Sequence, residues 1–290
     1  MKNSDIHLRD PFILVHEGKY YLYGTRGEGC WDTCSGFDVY IGDDLENWSD
    51  PISVFEAEDS FWGKHQFWAP EVHYYNGKFY MFASFKADGH RRATHILVSD
   101  RPDELFTPLA PIPVTPPEWD CLDGTLYVDD TETPYLIFCH EWTQIGDGTI
   151  DVVKLKADLS GVDSDVQTLF SASSHPLNVF IDDVNNGHGC VTDGPFLFQK
   201  QDGTLLMLWS SHSREGRYQQ ILSESLSGKI TGPWRHLSVP LFDEDGGHGM
   251  LFTDLDGNLR LSLHQYNQHP FERPRFIPVS ETPDGLRVVT

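Results

Sequence analysis

The sequence has no long apolar run and no excess of basic residues. No run approaches the roughly 20 apolar residues that cross a bilayer, and 44 Asp and Glu residues outnumber 21 Lys and Arg residues. The formal charge of −23 would repel the phosphates of nucleic acids and of anionic membranes. We therefore expect neither a nucleic acid nor a membrane as partner, and we expect a neutral ligand.

Cysteine is also scarce, and the set of five is odd in number: Cys30, Cys34, Cys121, Cys139 and Cys190. So sparse a set does not predict a disulfide framework, and no basic stretch followed by an apolar run marks an export signal. Reduced thiols and a cytoplasmic location are the expectation. The pair in CWDTC lacks the second pair that a zinc site would need.

Glycine and aromatic residues, in contrast, are plentiful. The chain contains 25 glycines and 13% aromatic residues, a composition that favours many short strands joined by tight turns over a helical bundle. No Ser- or Gly-rich linker interrupts the sequence. We therefore expect residues 1–290 to form a single domain.

One hairpin pattern recurs five times. The copies read DPFILVHEGKYYLYGT, APEVHYYNGKFYMFAS, DGTLYVDDTETPYLIF, DGPFLFQKQDGTLLMLWSS and HGMLFTDLDGNLRLSLHQ, and they start at Asp10, Ala69, Asp123, Asp193 and His248. Each is an apolar strand, a turn and a second strand with period-two spacing. The starts lie 59, 54, 70 and 55 residues apart, which is room for about four strands per repeat. The sequence thus predicts an all-β, five-bladed propeller with four-stranded antiparallel blades.

The start of each innermost strand should open on one face of such a ring. Asp10, Asp123 and Asp193 would then meet in one pocket, with Glu71 two places into the second copy. One Asp before Gly or Pro is typical of a turn. Three at matching positions indicate chemistry, because like charges in one pocket raise each other's pKa.

With the motifs RDPFIL, FWAPEV, LDGTLY, TDGPFLF and GGHGMLF in this order, the chain resembles glycoside hydrolase family 43 over nearly its whole length. The resemblance implies a five-bladed propeller that hydrolyses α-L-arabinofuranosides, arabinan, β-xylosides or, less often, β-galactans. It also implies inversion at the anomeric carbon and no required cofactor.

The resemblance assigns the general base to Asp10 and assigns the orientation and pKa control of the acid to Asp123, where Gly124 replaces the usual Pro. It assigns the general acid to Asp193, although the family usually has Glu. Because Asp is one methylene shorter, either the pocket is tighter or another carboxylate donates the proton. Glu141 is that alternative donor.

The expected substrate-binding residues are Trp31, Trp68, Glu71, Arg273 and His188. Aromatic rings stack on the apolar faces of sugars, although packing between blades is the alternative role for a propeller aromatic. Glu71 could instead form an internal ion pair, Arg273 a surface salt bridge, and His188 an ordinary loop contact.

His248 is expected at the propeller axis. Some family members hold a water cluster or a Ca²⁺ or Na⁺ ion there, so the resemblance implies a structural ion contacted through water. The alternative is a buried His bonded to the backbone of its turn, since neutral imidazole suits calcium poorly.

The expected function is an exo-acting α-L-arabinofuranosidase on pentose-containing arabino- or arabinoxylo-oligosaccharides, with no assigned oligomeric state. A β-xylosidase or an endo-arabinanase is the nearest alternative. A non-catalytic glycan-binding propeller belongs to a different class. A phosphorylase is weaker still, because no basic cluster near the axis is evident that could hold phosphate.

Overall fold

The computed structural model describes residues 1–183 and 186–289. Within this part of the chain, five antiparallel sheets of four strands each surround a common axis, which confirms the predicted five-bladed propeller. Blades 1 and 2 comprise β1 Leu8–His16, β2 Lys19–Arg26, β3 Gly36–Gly42, β4 Ile52–Glu56, β5 His65–Tyr75, β6 Lys78–Lys86, β7 Ala93–Ser99 and β8 Thr107–Pro108.

The remaining blades follow in chain order. Blade 3 comprises β9 Cys121–Val128, β10 Pro134–His140, β11 Thr149–Lys154 and β12 Gln167–Ser171, and the ribbon that follows it comprises β13 Ile181–Asp183 and β14 Gly187–Gly189. Blades 4 and 5 comprise β15 Asp193–Gln199, β16 Leu205–His212, β17 Tyr218–Ser225, β18 Trp234–His236, β19 Gly246–Thr253, β20 Leu259–Gln265, β21 Arg273–Thr282 and β22 Gly285–Val288.

Within residues 1–183 and 186–289, helical structure is limited to short turns. They are α1 Trp142–Ile145 and two 3₁₀ turns, Asn3–Asp5 and Ala172–Ser174. Over residues 1–183 and 186–289, none of the helices has the length and apolar character that a membrane crossing requires.

Two of the predicted hairpin turns use the backbone geometry that their dipeptides favour. Glu17 and Gly18 have φ of 47° and 74°, and Asn76 and Gly77 have φ of 47° and 84°. Positive φ at both central residues is the type I′ turn, whose twist matches that of the flanking strands. These turns set the register of β1 with β2 and of β5 with β6.

The core lies between the blades. In the middle strands β2 and β6 all but the end residues are buried, because a neighbouring blade covers each face. Aromatic rings fill the space between blades 1 and 2, and Phe37 of blade 1 meets Phe85 of blade 2 edge to face with ring centroids 5.8 Å apart. Edge-to-face pairs add about 0.5–1.5 kcal/mol to the burial of their area.

Side-chain contacts, rather than a shared sheet, join the last blade to the first. Blade 1 uses only β1–β4 and blade 5 only β19–β22. Arg9 donates to the buried carboxylate of Glu272 at 2.8 Å, and Trp48 packs against Phe276 with centroids 5.7 Å apart. Burial of both polar and apolar groups therefore closes the ring.

Each innermost strand contains a bulge where it approaches the axis. The residues with positive φ at these bulges are Asp10, Ala69, Asp123, Gly194 and His248, with φ between 47° and 56°. The structural repeat in blade 4 thus starts at Gly194, and Asp193 lies one residue before the position that matches Asp10 and Asp123. The sequence alignment was wrong by one residue there, because Gly194 takes the left-handed conformation more readily than Asp193.

The N–H group of every bulge residue donates to a side chain of the preceding blade. Four of the acceptors stand at one equivalent position of the second strand: Thr25 for Ala69 at 2.7 Å, Ser84 for Asp123 at 2.9 Å, Ser210 for His248 at 2.8 Å and His264 for Asp10 at 3.2 Å. The fifth equivalent position is Cys139. There the Asp123 carboxylate accepts the Gly194 N–H instead, at 2.9 Å.

Replacing Thr25 by Val should reveal the contribution of its hydroxyl group to stability. The change removes the acceptor of the buried Ala69 N–H group and the donor to Asp10 Oδ2, and should lower the free energy of unfolding by about 1–3 kcal/mol. Denaturant unfolding measures this. Thr94→Val is the matched control, because Thr94 is equally buried and its hydroxyl lacks a hydrogen-bond partner. Equal losses in the two variants would contradict the prediction.

Candidate active site

A cavity of about 720 Å³ opens where the innermost strands begin. The side chains of Asp10, Asp123, Asp193 and His248 line it, and they come from β1, β9, β15 and β19. The three carboxylates predicted from the repeats therefore face one space, although they are 183 residues apart in sequence at their extremes, from position 10 to position 193.

Asp10 is held in place at the start of β1. Its Oδ2 accepts a hydrogen bond from Thr25 Oγ1 at 2.6 Å, and its Oδ1 lies 3.2 Å from His248 Nδ1. Burial alone would raise the pKa of Asp10, but the charge of His248, with further help from Arg9 and the Thr25 bond, lowers it below the ordinary value. Asp10 is thus suited to stay ionised and to accept a proton.

Asp193 has the opposite tendency. Burial raises its pKa to about 6, with further contributions from the charges of Asp10 and Glu141. The hydroxyl of Tyr218 donates to Asp193 Oδ2 at 3.0 Å, which favours the ionised form and partly offsets the rise. Asp193 therefore keeps its proton in mildly acidic solution.

Asp123 is the most enclosed of the three carboxylates. Burial, and next to it the charges of Asp193 and Asp10, raise its pKa to about 8 against the opposing charge of His248. The expected role of Asp123 was to raise the pKa of Asp193 by its charge. In the structure the leading cause of the raised pKa of Asp193 is burial, and the Asp123 carboxylate accepts a hydrogen bond from the N–H of Gly194, the residue after Asp193.

His248 supplies positive charge at the axis. Burial would lower its pKa, but Asp10, Asp123, Asp193 and Glu71 together raise it above the ordinary value. Its Nδ1 lies 3.2 Å from Asp10 and 3.8 Å from Asp123. The imidazole of His248 suits direct binding of Ca²⁺ or Na⁺ poorly, and the expected contact to an axial ion through water stays a prediction. The axial ion therefore has no part in the chemistry derived below.

One wall of the cavity is built around Arg92. This residue is 3% exposed, donates to Glu141 Oε2 at 3.1 Å and lies 3.8 Å from the ring centroid of Trp68. Glu141 therefore faces the cavity as the partner of a buried cation. Glu141 Oε2 is thus occupied by Arg92, whereas the pKa of Asp193 is raised, so Asp193 remains our candidate for the acid.

Aromatic side chains line the wall near blades 1 and 2. Trp31 is 54% exposed and meets Trp68 edge to face with centroids 5.4 Å apart. Both line the cavity, where the predicted contact with substrate would be made, and Trp68 is further held by its Nε1–H bond to the carbonyl of Cys30 at 2.6 Å.

Three predicted substrate contacts lie away from the cavity lining. Glu71 is buried and bonds His73 at 3.0 Å, Arg273 donates to the carbonyls of Ser4, Pro270 and Glu272, and His188 bonds Asp182 at 2.8 Å. The contacts of Glu71 and His188 correspond to their structural alternatives, whereas Arg273 bonds backbone carbonyls in place of the surface salt bridge that was its alternative. We therefore give none of them a role in the proposal below.

Sequence reasoning did not find Tyr218, His264 or Arg9. Arg9 directly precedes Asp10 in the first repeat, and this position could have identified it as a cavity residue. Tyr218 and His264 lie on β17 and β20, far from any bulge in sequence. His264 Nδ1 accepts the N–H of Asp10, and burial lowers its pKa to about 3, which keeps the imidazole neutral.

The family model for glycosyl hydrolases family 43 matches residues 5–285. The chain belongs to this family. The predicted resemblance is therefore confirmed, and the protein is a glycoside hydrolase whose candidate carboxylates lie where the family fold opens.

Similar proteins cover most of the chain. An extracellular exo-α-(1→5)-L-arabinofuranosidase of Cellvibrio japonicus is 24% identical over 91% of this chain and 80% of its own length. An extracellular endo-α-(1→5)-L-arabinanase of Bacillus subtilis is 25% identical over 83% of this chain and 71% of its own. The crystal structure of an endo-arabinase from Bacteroides thetaiotaomicron shares 40% identity and a TM-score of 0.92, with 98% of both chains covered.

Removing the Tyr218 hydroxyl should change the pH dependence of activity. The bond stabilises the ionised form of Asp193, so Tyr218→Phe should raise the pKa of the acid and move the alkaline limb of kcat/KM upward by about one pH unit. A pH–rate profile measures this. Tyr23→Phe is the control, because it removes a buried hydroxyl that bonds Pro102 and is not part of the cavity. The same alkaline limb in Tyr218→Phe and wild type would exclude the proposed effect.

Proposed function

We propose that the protein is an inverting, exo-acting hydrolase of α-L-arabinofuranosyl bonds in pentose-containing oligosaccharides. One observation carries this proposal: Asp10 and Asp193 face the same cavity with pKa values shifted in opposite directions. Paired carboxyl groups of opposite protonation state are what general acid–base hydrolysis of a glycoside needs.

The proposed reaction has one chemical step. The ionised Asp10 takes a proton from a water molecule as that water attacks the anomeric carbon, and the protonated Asp193 gives its proton to the departing glycosidic oxygen. Attack from the face opposite the leaving group inverts the anomeric configuration. His248 stabilises the ionised Asp10 before the step. After products leave, Asp10 releases its gained proton to solvent and Asp193 takes up a proton from solvent, which restores the starting state.

The substrate class is proposed from the wall of the cavity and from the relatives. Trp31 and Trp68 offer aromatic surface for the apolar face of a sugar, and the cations Arg9 and Arg92 contact these rings at 5.4 and 3.8 Å. The named relatives act on arabinose-containing chains. We therefore propose that the enzyme hydrolyses arabinofuranosyl bonds in preference to β-xylosidic bonds.

Exo action is supported by the depth of the carboxylates. The side chains of Asp10 and Asp123 are only 10% and 4% exposed, which suits a chain end entering the cavity. Endo action is the second candidate, and the 40% identity to an endo-arabinase over 98% of both chains favours it.

Product analysis on linear α-1,5-arabinan separates the candidates. Exo action should release arabinose as the first product, and endo action should release mixed oligosaccharides with an early fall in viscosity. Proton NMR of the first product should show the β-anomer if the configuration inverts. Hydrolysis of none of a panel of nitrophenyl pentosides and arabino-oligosaccharides would overturn the proposal in favour of a glycan-binding propeller.

The cytoplasmic location also stays a proposal. All five cysteines are buried and free, which supports a reducing compartment. The exo-arabinofuranosidase and the endo-arabinanase described above are, in contrast, named as extracellular proteins. Fractionation of the native host with an antibody against the protein would decide between these compartments.

A further inference from the structure

A cluster of side chains that could bind a metal ion lies at the edge of the cavity, between blades 5 and 1. It consists of His7, just before β1, and of His269 and Glu272, just before β21. Their ligand atoms all lie within 4.8 Å of one another. His7 Nε2 is 2.9 Å and His269 Nδ1 is 3.9 Å from the same oxygen, Glu272 Oε2.

We propose that these three side chains bind a divalent transition-metal ion of the Zn²⁺ type. Two imidazoles and one carboxylate form a donor set that Zn²⁺ uses in proteins, with bonds of about 2.0–2.2 Å. Tetrahedral bonds of that length place neighbouring ligand atoms roughly 3.3 Å apart. The observed 2.9 and 3.9 Å lie on either side of this value, so a small rotation of His269 would complete the geometry.

The carboxylate of Glu272 is already oriented to bind the ion. Glu272 is fully buried, and its Oε1 accepts a hydrogen bond from Arg9 Nη1 at 2.8 Å, which leaves Oε2 directed at the two histidines. Bonds that fix a ligand in this way commonly strengthen metal binding. The charge of Arg9 opposes the ion, so we expect weaker binding than at a structural zinc site. The overall charge of −23 favours cations.

The site also has an entry path and an open position. The His269 side chain is 47% exposed and lines the cavity, so an ion can arrive from solvent and keep a water ligand on that side. His7 and His269 face each other with ring centroids 5.0 Å apart. No step of the proposed hydrolysis uses this ion, and the inference stands or falls independently of the proposed function.

Calorimetric titration of tag-free full-length protein with ZnCl₂ tests the site. Wild type should bind one equivalent there, and His269→Gln should raise the Kd at least tenfold through loss of a ligand. His188→Gln is the matched control, because His188 also bonds a carboxylate but as an exposed pair with Asp182. Its Kd should equal that of wild type.

Two further measurements keep the result clear. Unfolding temperatures without metal should agree among the three proteins, since His269 is half exposed, and added Zn²⁺ should raise that of wild type and His188→Gln more than that of His269→Gln. Equal affinity of wild type and His269→Gln, or no binding by wild type at millimolar Zn²⁺, would overturn the proposal.

Discussion

Asp10→Asn should lower kcat by about 10²–10⁴-fold, the contribution expected of a general base, while the protein remains folded. The amide cannot take a proton from water, yet it keeps an oxygen that can accept the Thr25 hydrogen bond. Asn also tolerates the left-handed conformation of position 10, where φ is 52°. Steady-state kinetics and the unfolding temperature together measure the effect.

A second variant makes the role of Asp10 more specific. Asp10→Gly suits the positive φ and leaves space on the face from which water attacks. Added azide should restore part of the activity and give a glycosyl azide of inverted configuration. Asp38→Asn is the control, because Asp38 pairs with Arg26 on blade 1 outside the cavity lining. Near-normal turnover by Asp10→Asn would remove this residue as the base.

The pH dependence of kcat/KM should be bell-shaped, with an alkaline limb near pH 6. Activity needs ionised Asp10, whose pKa is lowered below its ordinary value of 3.8, and protonated Asp193, whose pKa is raised to about 6. Activity should therefore rise as pH increases through the pKa of Asp10 and fall as pH increases through that of Asp193. The maximum should lie between these limits.

Asp193→Asn should abolish the alkaline limb and lower activity by about 10²–10⁴-fold on arabino-oligosaccharides. The loss should be much smaller on a dinitrophenyl arabinofuranoside, because that leaving group departs without a proton. Glu141→Gln tests the alternative donor in the same assays. If Glu141→Gln shows the leaving-group dependence and Asp193→Asn does not, the acid assignment moves to Glu141.

The five repeats were visible in sequence because each carries the same local signals. A turn dipeptide between two period-two apolar strands sets up a hairpin without help from distant residues, as the type I′ turns at Glu17–Gly18 and Asn76–Gly77 show. The alignment of the repeats with one another was harder to predict from sequence. The one-residue offset at Asp193 arises because Gly194 occupies the bulge, a backbone preference that composition alone does not reveal.

The bonds between blades illustrate what a linear pattern cannot show. Thr25, Ser84, Ser210 and His264 are four different-looking residues that accept the same kind of N–H bond. Cys139 occupies the fifth equivalent position, and there the carboxylate of Asp123 accepts the N–H bond instead. Hence Asp123 bridges blades 3 and 4 in addition to facing the cavity.

The blade count, the strand–turn–strand units and the three cavity aspartates could be predicted from sequence, because period-two patterns and turn residues act over a few positions. Which carboxylate keeps its proton could not be predicted in this way. That depends on burial, on the charge that His248 brings from blade 5, and on the positions in which β1 and β17 hold Arg9 and Tyr218. Electrostatic interactions act through space, and ring closure fixes those distances.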